Sequence, residues 1–150
     1  MRIETQYSVF MVNKPGVLAQ VLTEIANARI NLIAITMMDS VEHGVMRMVA
    51  QSPVKIRNVL EKLNMPFSET DVLCITLSNK AGALANVTQK LAESHINISY
   101  AYCTAGAKGG KTTGILKVAD VKKAIKVLAS HADKAGKSKP TVRRSPASRK

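Results

Sequence analysis

One ten-residue stretch occurs twice in this chain. Val12-Asn13-Lys14-Pro15-Gly16-Val17-Leu18-Ala19-Gln20-Val21 is answered sixty-six residues later by Ser78-Asn79-Lys80-Ala81-Gly82-Ala83-Leu84-Ala85-Asn86-Val87. A repeat of this kind constrains the fold first, because each copy marks one supersecondary unit. Both copies follow an apolar, strand-like run and open an amphipathic helical pattern. Gly16 and Gly82 lack a Cβ, so the backbone can turn tightly and another group can come close. Pro15 pre-sets one φ angle just ahead of the first helix. The helix that follows offers free N–H groups and a positive dipole end, which suits a carboxylate. Asn13 and Asn79 are placed either to cap the turn or to reach a ligand.

Around the two turns the pattern runs in the same order. Residues 4–12 end in a β-prone run, and Val17, Leu18, Val21, Leu22, Ile25 and Ala28 make one helical stripe over 16–28. Residues 30–38 and 45–51 read as the strands of a hairpin around turn chemistry at 39–44. Ser52-Pro53 starts a second helix, with Ser52 as cap, and Asn64 ends it. Then the cycle restarts: strand 72–77, helix 82–94, strand 96–103, strand 112–118 and a helix capped by Asp120. Ile30-Asn31 matches Ile96-Asn97 at the same sixty-six-residue offset. The expectation is α+β: two tandem ferredoxin-like βαββαβ units with antiparallel sheets, over residues 1–70 and 71–132. The last strand of the first unit and the first strand of the second must share residues 66–78, which predicts a rigid junction. The second unit lacks a clear fourth strand: either Thr141-Val142 supplies a scrap of one or that edge is bare.

The 150 residues fit one common domain or two small ones. Aromatics make up 3% of the chain, so the core must be aliphatic. No apolar run approaches the roughly 18 residues of a membrane span. No signal-peptide pattern opens the chain, and Cys74 and Cys103 have no Cys-x-x-Cys partner. The expectation is a soluble, cytoplasmic protein. The net charge is +12, and residues 133–150 carry half of it with seven Lys or Arg against one acid. That tail is too poor in apolar side chains to offset its ordering entropy, so disorder is expected there.

Asn-x-x-Gly-x-Leu after a strand, then a helix, then Ile-Asn-(Ile/Leu) opening the next strand, resembles the pattern of ACT domains. Two copies at one offset, with the Asp71-Val72-Leu73 junction, resemble the small tandem-ACT proteins of bacteria over residues 1 to about 131. The resemblance implies a non-catalytic regulatory module that binds a small ligand, usually an amino acid, at the interface of two ACT units. It implies ligand contacts from Asn13, Pro15, Gly16, Val17, Leu18 and Asn31 in the first repeat. The second offers Asn79, Gly82, Ala83, Leu84 and Asn97. Asn31 is expected near the same rim as the first turn. By similarity to serine-sensing ACT domains, Asn13 and Asn31 match the polar contacts. The histidine those domains carry two residues before the first Asn is replaced here by Met11 and Leu77.

Other chemistry is weaker. Residues 105–112 resemble a relaxed phosphate loop, but Thr113 to Val118 reads as a strand where that mechanism needs a helix. His43, His95 and His131 share no face and have no partner at metal-ligand spacing. No nucleophile, base and orienting group can be assembled, so neither an enzyme nor a cofactor is expected. Tyr100 and Tyr102 share one strand face, to line a pocket or pack an interface. Two rival classes stay open. One is a structural interaction module, as a homodimer or with a protein partner, through an edge strand. The other is nucleic-acid or polyanion contact, confined to the basic tail because the central strands 45–49 and 115–118 lack a stacking pair of aromatics.

Overall fold

The computed structural model describes residues 1–38, 43–104 and 110–135. In chain order the elements are β1 (Arg2–Val12), α1 (Val17–Asn27), β2 (Leu32–Met38), β3 (His43–Ala50) and α2 (Pro53–Lys62). They continue with β4 (Phe67–Ser78), α3 (Ala83–Glu93), β5 (Ile98–Cys103), β6 (Lys111–Val118) and α4 (Val121–Ala135). The strands form one six-stranded antiparallel sheet in the order β2-β3-β1-β4-β6-β5. The shared segment is a single twelve-residue strand, β4, so the junction between the units is ladder-bonded on both sides. The break between residues 70 and 71 falls inside that strand.

Alternation along the strands assigns the two faces. Tyr7 pairs with Glu69 and Val9 with Phe67, so the odd-numbered residues of β1 and β4 lie on one side. On that side Tyr7, Val9, Met11, Met46 and Met48 pack with Val21 and Ile25 of α1 and Ile56 and Leu60 of α2. Further along, Leu73, Ile75, Leu77, Leu116 and Val118 pack with Leu91 of α3 and Ala124 and Leu128 of α4. All four helices therefore cover the same face, and the core is aliphatic apart from Tyr7, with Phe67 at its margin.

The missing strand of the second unit comes from neither expected source. β1 is long enough to serve twice. Its second half, Gln6–Val12, pairs with β3 as the first strand of unit one. Its first half, Arg2–Thr5, pairs with Asp71–Cys74 and fills the place of the fourth strand of unit two. β4 does the reverse: Phe67–Thr70 closes unit one, and residues 71–78 open unit two. The edge of β4 is therefore covered, and Thr141-Val142 lies outside the described residues, as do the loop 105–109 and the tail from 136.

The helix ends follow the local chemistry with one correction. Asp120 accepts from the Lys123 N–H at 2.8 Å and caps α4 as expected. Ser52 precedes Pro53 as expected, but its side chain makes no capping hydrogen bond. Arg29 and His95, equivalent by the repeat, both follow their helices with φ 54°, and Asn64 ends α2 with φ 50°. α4 runs on to Ala135, three residues into the stretch 133–150 expected to be a free tail.

Candidate ligand-binding site

The two repeated turns fold alike. Gly16 has φ 91° and Gly82 has φ 83°, the left-handed region, and each stands at the N-cap of its helix with no side-chain cap. The backbone bonds also match: Gln20 N–H to Gly16 O at 2.9 Å, and Asn86 N–H to Gly82 O at 2.9 Å. Asn13 and Asn79 therefore do not cap these helices; both side chains are exposed. Pro15 is exposed and Val17 and Leu18 are half-buried; in the second turn Ala83 is half-buried and Leu84 exposed.

Asn31 is not on the rim of the first turn. It precedes Leu32, which pairs with Ala50, whereas Asn13 follows Val12, which pairs with His43. The length of β3 separates them, about 25 Å at about 3.3 Å per residue. The cause is the crossover: a βαβ connection makes β2 parallel to β1, so β2 starts where β1 starts. The second unit repeats this, with Asn79 after Ser78 opposite Lys111 and Asn97 before Ile98 opposite Val118. Because β1 and β4 are antiparallel, Asn31 shares an end of the sheet with the second turn, and Asn97 with the first. Two strands still intervene in each case, at least about 14 Å of lateral spacing. One chain thus separates each turn asparagine from each strand-opening asparagine.

Two cavities flank the first turn. One of ≈ 260 Å³ is lined by Asn13, Met37, Met38 and Gly44. The other, of ≈ 390 Å³, lies between the end of β1, the start of α1 and the segment after α2, and Val17 is among its walls. A third, of ≈ 400 Å³, sits between α1 and α2 beside the Lys62–Glu24 ion pair at 3.1 Å. It touches none of the repeated turn residues.

The helix-free face holds a polar cluster that ties the units together. Gln6 is fully buried; its amide donates to Tyr100 Oη at 2.7 Å, and Tyr102 Oη donates to Gln6 Oε1 at 3.1 Å. Arg47 lies over the Tyr100 ring, 4.1 Å from the centroid, and its buried Nε finds no acceptor among the described residues. Ala34, Val49, Val72, Cys74 and Ile115 are buried beneath, with Ile33 and Tyr102 packed against them. Side chains from both edge strands therefore meet over one small core. The shared face of Tyr100 and Tyr102 was legible in their alternation, but Gln6, the residue they meet, was not singled out.

Burial pushes the Tyr102 phenol well above its usual range, with the Tyr100 phenol adding to it, and burial raises Tyr7 as well. A phenol whose folded pKa is raised stabilises the fold fully below the unfolded value, and that contribution is lost as pH rises through the folded value. Stability is expected to fall above about pH 10. Thermal melts stepped through that range, with phenolate absorbance followed in parallel, check this; an early, complete phenolate titration with an unchanged melt would contradict it. Burial also raises the Cys74 thiol, which makes it a poor nucleophile. No cluster of three or more His, Cys, Asp or Glu suited to a metal occurs among the described residues. Lys111 and Thr112 open β6 rather than a helix, which removes the phosphate-loop reading. No helix among the described residues is long and apolar enough to cross a membrane.

A six-stranded antiparallel sheet with four helices on one face and a twice-used glycine turn defines a tandem ferredoxin-like module. The family model for the ACT domain pair matches residues 1–134, and the chain belongs to that family. A solved protein from Bacteroides thetaiotaomicron is 28% identical with a TM-score of 0.80, covering 87% of this chain and 89% of its own. The ligand-free regulatory subunit of aspartate kinase from Thermus thermophilus shares the fold at 14% identity and a TM-score of 0.63, with 89% and 97% covered. Its Thermus flavus counterpart does so at 14% identity and 0.59, with 86% and 93% covered. No curated protein matches the sequence.

Proposed function

We propose that this chain is a non-catalytic regulatory module whose two ACT units, 1–70 and 71–132, sense an amino acid at the repeated turns. The observation that carries the reading is the pair of left-handed glycines. Each opens an eleven-residue helix whose N-terminus has no side-chain cap, and the first stands beside two cavities. Family membership and the regulatory subunits that share the fold support the same class of role. Asn13 to Leu18 hold the ligand in the first unit, with Asn79 to Leu84 as the counterpart in the second. Asn31 and Asn97 join a turn only when a second copy brings them there. The exposed Ile35, Met37 and Met38 on the edge strand β2 support such pairing.

The test is thermal unfolding of the full chain against the twenty amino acids, one at a time. A ligand at a hundred times its Kd stabilises by about 2.7 kcal/mol, a rise of several degrees for a chain of this size. One or a few amino acids are expected to give that rise, and a flat response to all of them would sink the sensing claim. Sedimentation checks the pairing: the native chain should run as a dimer and Met37→Lys as a monomer.

A further inference from the structure

We propose that the larger cavity beside the first turn takes the side chain of a large apolar amino acid, of the leucine, methionine or phenylalanine kind, and that each chain has one such site. This rests on the sensing role proposed above and narrows it. The walls of the ≈ 390 Å³ space are mainly Phe10, Met11, Val12, Val17, Leu63 and Met65, and the polar lining comes from Gln20, Asn64 and His43. No Asp, Glu, Lys or Arg is among its described lining residues. Among the described lining residues a charged ligand side chain meets no carboxylate, ammonium or guanidinium counter-ion, which is costly. An apolar one gains from leaving water. Burying a leucine-sized side chain favours it over a serine-sized one by roughly 10- to 100-fold. The volume lies at the small end of the roughly 300–1,000 Å³ typical of small-molecule sites. Val17 is the first residue of α1, so the apolar space adjoins a helix N-terminus, an end that suits a carboxylate.

The repeat shows that this space is particular to unit one. At the sixty-six-residue offset, Phe10 becomes Thr76, Val12 becomes Ser78, Val17 becomes Ala83 and Gln20 becomes Asn86. The turn is kept, and Met11 becomes the equally apolar Leu77, but the other walls beside the turn become small or polar. A duplicated unit that keeps the turn and changes the walls has two specificities, of which the apolar one belongs to residues 1–70.

Isothermal titration of the full chain with leucine, methionine, phenylalanine, serine, threonine, aspartate and lysine tests this. The expected result is binding of one or more of the apolar three, at one per chain, with serine at least ten-fold weaker. Val17→Asp places a carboxylate in the cavity wall at a helix position that tolerates it, and should abolish that binding while the helical circular dichroism is kept. If that variant does not fold, Met65→Gln provides the same readout from the other wall. A polar or charged amino acid binding as tightly as the apolar three would overturn this inference and leave the sensing role standing. Apolar binding that survives Val17→Asp or Met65→Gln would overturn the siting. No binding of any of the seven would overturn this inference, and only a flat thermal response to all twenty would overturn the sensing role with it.

Discussion

A chain lacking residues 1–5 should lose roughly 2–4 kcal/mol of stability, at about 1 kcal/mol for each ladder hydrogen bond removed. Arg2, Ile3, Glu4 and Thr5 pair with Cys74, Leu73, Val72 and Asp71. Without them the second unit has no fourth strand, and the edge of β4 lies open above a buried Leu73. A loss of that size is a large share of the about 5–15 kcal/mol that holds a typical domain together. Urea midpoints of the two chains measure it, and amide exchange at Val72 and Cys74 should speed up together with the loss. An unchanged midpoint would mean that the second unit is closed by some other segment.

The second large effect is expected at the turns. At Gly16 and Gly82 an added Cβ would meet nothing within 4 Å, so the cost of a side chain there is conformational rather than steric. With φ at 91° and 83°, a β-branched residue is a true outlier, and Gly16→Val or Gly82→Val should cost about 1–3 kcal/mol. Asparagine visits this region more readily than alanine, and alanine more readily than valine, so destabilisation should rise from Asn to Ala to Val. Urea midpoints of the series decide it. Equal, small losses for all three would show that the turns relax to another conformation.

Much of the fold was legible because it is local. The sixty-six-residue offset, the helical stripes and the period-two strands each lie within one short window. The shared strand β4 followed from arithmetic, since too few residues remain between α2 and the second turn for two strands. What was not legible is long-range. Arg2 to Thr5 carries two charges and no clean alternation, so nothing local says that it completes the other unit. Gln6 looks like a surface residue, yet its partners lie 94 and 96 positions away. The misplaced rim of Asn31 has a different cause. Its pattern was read correctly, but the parallel sense of β1 and β2, which the crossover dictates, sets its end of the sheet. The apolar walls of the first-turn cavity were visible as residues, but only the packing of α2's exit against β1 brings Leu63 and Met65 to Phe10 and Val17.

The measurement closest to the central claim is a heteronuclear NMR titration of the full chain with the amino acid that raises its melting temperature most. Saturable shifts of the Gly16, Val17 and Leu18 amides are expected at ligand concentrations matching the thermal effect. Saturable shifts confined to other elements, such as the groove between α1 and α2, would place the ligand away from the repeated turn and contradict it.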